Sequence, residues 1–157
     1  MIYPWVVFLH VISVFYFLLL HGVQMAVTFK LREQTDPATV EGVWVTMPNS
    51  LTPLRISYAA IILTGLIAGF MSVWWRQGWM WTSLVLLVAI AGVMNRVGAG
   101  YFIAVEAAAT HALENQGDAA ALEKFNAVKN SRTPEILSLV GLLGLAVILW
   151  LMMFKPF

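Results

Sequence analysis

The chain has 157 residues, 61% of them hydrophobic and 11% charged, against roughly 45–50% apolar and about 25% charged in a soluble globular domain. One water-soluble core cannot bury so large an apolar share, so lipid is the expected solvent, and the length allows a single domain, 1–157. Nine Lys+Arg against eight Asp+Glu give a net charge of +1 and cysteine is absent; the first leaves no basic surface for nucleic acid, and the second excludes disulfides, thiolate metal sites and thiol nucleophiles.

Four apolar runs reach the roughly 20 residues that a spanning helix needs: 2–29, 56–75, 80–105 and 136–154. Ile2–Phe29 lacks the charged start of a signal peptide and is too long for an h-region, so it is expected to be a retained helix. Lys30–Arg55, with Pro37, Pro48 and Pro53, reads as a connection. Ile56–Trp75 is joined to Met80–Val105 only by Arg76, Gln77, Gly78 and Trp79, which makes helices two and three antiparallel neighbours. The third run continues as Glu106–Leu113 and breaks at Gly117. Asp118–Asn130 then has the Ala, Leu, Glu and Lys content of a short helix outside the membrane. Pro134 and Glu135 open the last helix, Ile136–Phe154, where proline suits the first turn and an acid suits the positive end of the dipole. The expected fold is all-α, a polytopic membrane four-helix bundle.

Lys30, Arg32 and Arg55 in the first connection and Lys124, Lys129 and Arg132 in the third outweigh Arg76 and Lys155 on the other side. That bias places the two longer loops in the cytoplasm and both termini outside. Gly65 and Gly69 form a G-x-x-x-G pattern, and Ala91, Gly92, Gly98, Gly100, Gly141 and Gly144 give further small faces. Packing within one chain is their expected use ahead of a homodimer seam.

Ionisable groups at membrane depth are costly and are the first functional candidates: His10, His21 and Arg96. The two histidines are 11 residues apart, about 16 Å along a helix and within about 20° of one face. Neutral imidazole ligates iron or copper and carries protons, so this face could hold haem b, a metal ion or a quinone head. One helix cannot clamp both sides of a haem, and helices two and four contain no histidine. An imidazole hydrogen-bonded to a neighbouring helix is the plainer alternative. Arg96, beside Asn95 near the middle of helix three, needs a carboxylate, propionate or lipid phosphate, or else snorkels to the interface. His111 falls outside the hydrocarbon, and Glu114 three residues on is not enough for a metal site. Met25, Met71, Met94, Met152 and Met153 read as packing or lipid-facing residues. No Ser/His/Asp triad, phosphate-binding loop or intramembrane carboxylate pair is visible.

Three stretches carry a resemblance: Phe8-Leu9-His10-Val11-Ile12 in the first helix, Thr52-Pro53 with Ile62-Leu63-Thr64-Gly65-Leu66 in the second, and Thr133-Pro134-Glu135 with a last helix ending Phe154-Lys155-Pro156-Phe157. Together they resemble a broad group of small four-helix bacterial membrane proteins, including an uncharacterised family of integral membrane proteins. The chain is also similar to HemJ-type protoporphyrinogen oxidases and, more distantly, to the copper-resistance D membrane family. The resemblance implies a bacterial inner membrane and a b-type haem with His10 as one ligand. The third-helix histidine of HemJ-type proteins is not carried over, because Trp79, Met80 and Trp81 lead into Thr82, Ser83 and Leu84.

The expected function is an accessory or anchoring subunit of a membrane complex linked to electrons or quinone, not an enzyme on its own. Its partners would be lipid and other membrane subunits or further copies of itself. The alternatives are a haem-binding membrane protein with His10 as ligand, for electron transfer or a HemJ-like oxidation, and metal transport through His10 and His21.

Overall fold

The computed structural model describes residues 2–157, with the side chains of all of these but 47–50. Five helices account for most of the chain: α1 Tyr3–Arg32, α2 Pro37–Met71, α3 Gly78–Glu114, α4 Ala119–Lys129 and α5 Thr133–Phe154. Four stretches, Tyr3–Arg32, Leu51–Met71, Gly78–Glu114 and Ala119–Phe154, are long and apolar enough to cross a bilayer. The chain is an all-α helical bundle and a multi-pass membrane protein.

Local chemistry sets the helix ends. Pro4 sits in the first turn of α1, where its missing N–H would have had no helical partner. The Asp36 carboxylate starts α2 by accepting from the Ala38 and Thr39 N–H groups, each at 3.1 Å, and from the Thr39 hydroxyl at 2.7 Å. Gly117, at φ +94°, makes the break after α3 that only glycine adopts without strain. Asp118 then caps α4 through the Ala120 N–H at 2.9 Å. Pro134 and Glu135 occupy the first turn of α5.

The connection expected over Lys30–Arg55 is mostly helix. α1 ends at Arg32 and α2 begins at Pro37, running through Pro48 and Pro53. Each internal proline removes a helical hydrogen bond, at a cost of about 3 kcal/mol in a helix interior. Burial on the same helix opposes that cost: Val40 and Trp44 are packed into the largest core of the molecule. At its other end α2 stops at Met71, short of the expected Trp75. Val73 there takes the left-handed conformation at φ 59°, and Trp74–Arg76 form a 3-10 turn.

Within the spanning region α1 packs along α2, and α3 along α5. Gly141 and Gly144 let Met94 and Ile90 of α3 close on the α5 backbone; a Cβ on Gly141 would come within 2.8 Å of Met94 Cε. α2 and α3 are neighbours, as expected, but they pack helix on helix only between the first half of α2 and α3 beyond Gly98. The link Ser72–Gln77 brings their other ends together without holding the axes in contact there, and a cleft lies between α2 and the first half of α3.

Residues Met94–Gly98 of α3 form a π-helical turn. One extra residue in a turn rotates the remainder of the helix by about 100°. Up to the first residue of this turn α3 presents Ile90 and Met94 to α5; after it, Tyr101, Val105, Ala108 and Ala109 join Leu31, Val40, Trp44 and Phe125 in a core shared with α1, α2 and α4. Tyr101 lies 23 residues beyond Gly78, about 35 Å along the axis, and so outside a hydrocarbon layer of about 30 Å. The position of this core is set by solvent. Water rewards apolar burial by roughly 25 cal/mol per Å², whereas lipid gives no such drive between helices. Accordingly the most apolar window of α1 buries none of its residues inside the bundle, and Phe15, Leu19, Val85 and Leu142 face outward.

Polar groups fasten the same end. Arg32 pairs with the Glu135 carboxylate and donates to the Asn130 carbonyl at 3.1 Å. The buried Lys129 ammonium donates to the Gln34 carbonyl and lies 5.2 Å from the centre of the Phe125 ring, and the Tyr101 hydroxyl donates to the Lys129 carbonyl at 2.9 Å. The opposite end is aromatic. Trp74 meets Trp79 at 5.3 Å and Trp75 meets Trp81 at 5.2 Å between ring centres, with the Lys155 ammonium 4.6 Å over Trp74, as suits a membrane interface.

Candidate functional site

The cleft between the two helix pairs contains His10. Its Nδ1 lies 3.1 Å from the Ile61 carbonyl oxygen and 3.0 Å from Thr64 Oγ1, both on α2. The Thr64 hydroxyl gives its hydrogen to the Ala60 carbonyl at 2.6 Å, so towards His10 it can only accept. Both neighbours of Nδ1 are therefore acceptors. In a neutral imidazole the hydrogen must then sit on Nδ1, which leaves the Nε2 lone pair free. Gly65 makes the approach possible, because a Cβ there would stand 3.2 Å from His10 Cε1.

Across the cleft from α2 stand Met80 and Ser83 of α3 and Ile148 and Met152 of α5. The inner room is about 50 Å³, and the empty space counting its open mouth is about 390 Å³. Ser83 lines this room, is only 3% exposed, and its hydroxyl has no hydrogen-bond partner. A helical hydroxyl ordinarily returns its hydrogen to the carbonyl four residues back, as Ser13, Thr28 and Thr82 do here. Ser83 does not, and a buried unpaired hydroxyl calls for a partner from elsewhere.

The other sequence candidates lie apart from this cleft. His21 is on α1 about 16 Å from His10 along the axis, stacked on Phe17 with ring centres 5.8 Å apart, and Phe17 in turn meets Tyr58 of α2. It shares the α2-facing side of the helix with His10 but not a site. Arg96 sits inside the π-helical turn and is exposed, as is Asn95. Its guanidinium finds no acceptor among the described residues. It is 18 residues beyond Gly78, about 27 Å along α3 and near the far edge of the hydrocarbon. His111 is exposed near the end of α3. Among the described residues no three His, Cys, Asp or Glu side chains converge on a metal-sized point.

Haem can be tested against these residues. His10 has the disposition of a ligating histidine, with one ring nitrogen fixed on a backbone carbonyl and the other free. No second histidine faces it, and an inner room of about 50 Å³ does not hold a porphyrin. The residues of one chain therefore do not fit an enclosed, doubly ligated haem.

Thr64 and Ser83 are the polar residues that carry no role in the sequence reading. Each is a hydroxyl in an apolar run, and nothing local distinguishes them from Thr82 or Ser138. Only the pairing of helices sets Thr64 on His10 and places Ser83 in the wall of the same cleft. Comparison with protein families, with curated proteins and with solved structures finds no match to this chain.

Proposed function

We propose that the chain is an accessory or anchoring subunit of a bacterial inner-membrane assembly that handles electrons or quinone. The observation that carries this reading is Arg96, a cation inside a π-helical turn of a spanning helix, exposed on the bundle and without an acceptor among the described residues. Near the far edge of the hydrocarbon its charge reaches toward the interface, and a carboxylate on a partner helix would hold it there with a charge-assisted hydrogen bond. Gly92 and Gly100 of the same helix have nothing within 4 Å of a built Cβ, so a second helix can come close beside the cation. In the orientation that the Lys/Arg bias favours, both termini are outside and α4 is cytoplasmic.

The test is gentle extraction followed by mass spectrometry. Larger chains should accompany the wild-type protein in fixed proportion, and Arg96→Leu should release them while leaving the fold intact. A wild-type protein recovered alone after mild solubilisation refutes the subunit role.

His10 supports a second reading, ligation of a b-type haem shared with another chain, because its Nδ1 is anchored on Ile61 and its Nε2 is free. A partner chain would then supply the second ligand and the rest of the pocket. A reducible Soret band that disappears in His10→Ala would support this; a colourless protein would end it.

A further inference from the structure

We propose that the cleft at His10 binds the oxygen-bearing edge of a lipid-soluble quinone or quinol. This deepens the quinone part of the proposed function and does not depend on whether larger chains accompany the protein.

The surroundings restrict what can enter. Every residue lining the cleft belongs to a spanning stretch of α1, α2, α3 or α5, so the mouth opens to hydrocarbon and the ligand must arrive through lipid. No charged side chain lines it, and a phosphate or carboxylate drawn inside would lose hydration without gaining a counter-charge. The ligand head is therefore neutral.

Two groups give that head its chemistry. Ser83 holds a hydroxyl with no partner, buried at the cleft wall; a turn about its Cα–Cβ bond to another staggered rotamer presents it to a carbonyl oxygen. His10, with its Nδ1 hydrogen committed to α2, offers Nε2 as an acceptor for a hydroxyl. A quinone carbonyl answers the serine and a quinol hydroxyl answers the histidine, so either redox form finds one hydrogen bond. The inner room of about 50 Å³ admits the oxygen and the ring edge, and the rest of the ring occupies the open mouth. Met80 and Met152 form two of its walls, and unbranched thioether chains adjust to an entering ring at little cost.

Purified protein in lipid nanodiscs, titrated with a short-tailed benzoquinone and separately with a naphthoquinone, should bind at least one of them saturably at one per chain above the uptake of empty discs. Ser83→Ala should weaken binding about three- to tenfold, the range that a neutral hydrogen bond carries. Gly65→Ala, which crowds His10 Cε1 from 3.2 Å, should weaken it as well. Ser138→Ala serves as the control, since its hydroxyl is also buried and unpaired but does not line the cleft. Uptake no greater than in empty discs for both probes, or equal affinity in Ser83→Ala and Ser138→Ala with all proteins folded by circular dichroism, overturns the proposal and leaves the cleft an ordered-water site only. Because binding is read on the chain by itself, a solitary protein that takes up quinone would refute the subunit role while sustaining this inference.

Discussion

Placing the core outside the bilayer makes two phenylalanines of equal size behave differently. Phe125 is fully buried among α3, α2 and the end of α1, with the Lys129 ammonium over its ring. Truncating it leaves a cavity in a water-driven core, and Phe→Ala at such positions costs about 3–5 kcal/mol. Phe15, 66% exposed on the spanning part of α1, touches lipid before and after folding, so Phe15→Ala should cost under about 1 kcal/mol. At about 1.4 kcal/mol per factor of ten, the two variants should differ by at least about thirtyfold in the folded-to-unfolded ratio. Reversible denaturation in mixed micelles gives the ratio, and amide hydrogen exchange locates the loss. Protection should fall in α4 and in α3 beyond Tyr101 for Phe125→Ala, and nowhere for Phe15→Ala. Equal destabilisation by the two variants, or a silent Phe125→Ala, would refute the account of where apolar burial stabilises this protein.

Val73 holds the left-handed backbone at φ 59° with its side chain 65% exposed, so Val73→Gly removes strain and little packing; it should raise stability by about 0.5–1 kcal/mol, read as a higher unfolding midpoint in micelles. Gly141→Leu should cost about 1–3 kcal/mol, since even a Cβ would meet Met94 Cε at 2.8 Å, and the loss should appear as weaker protection in α3 and α5 together. The Asp36 carboxyl is held below the usual carboxylate range, chiefly by the Thr39 hydroxyl and then by the Ala38 N–H. A group whose folded pKa is depressed contributes fully above its unfolded pKa of about 3.9 and loses that contribution as pH falls through the lower folded value. Exchange of the Ala38 and Thr39 amides should therefore accelerate only at the acid end, and Asp36→Asn should abolish that pH dependence.

Reading helices from the sequence succeeded where one residue type settles a local question. Gly117 ended α3, the Ala, Leu, Glu and Lys content of Asp118–Asn130 marked α4, Pro134 and Glu135 opened α5, and the apolar runs marked the spanning stretches, because a glycine, a first-turn proline or a twenty-residue apolar run acts without distant partners. It failed at Lys30–Arg55. Prolines at 48 and 53 signal a break, and the reason α2 continues lies in Val40 and Trp44 packing on α3 and α4, residues far along the chain.

The candidate site divides in the same way. That His10 and His21 share a face of α1, and that a charge at Arg96 is costly in a spanning helix, follow from helical spacing and the solvation of ions, and both are in the sequence. Which histidine meets a partner is decided by the pairing of α1 with α2, which sets Ile61, Thr64 and Gly65 against His10 and leaves His21 stacked on Phe17. The π-helical turn that exposes Arg96 and swings Tyr101 into the core, and the divergence of the first half of α3 from α2 that puts Ser83 in the His10 cleft, are likewise products of packing. Composition alone sets the solvent, because it counts apolar area; only the assembled bundle sets the site, because a cleft is bounded by side chains that sequence distance does not relate.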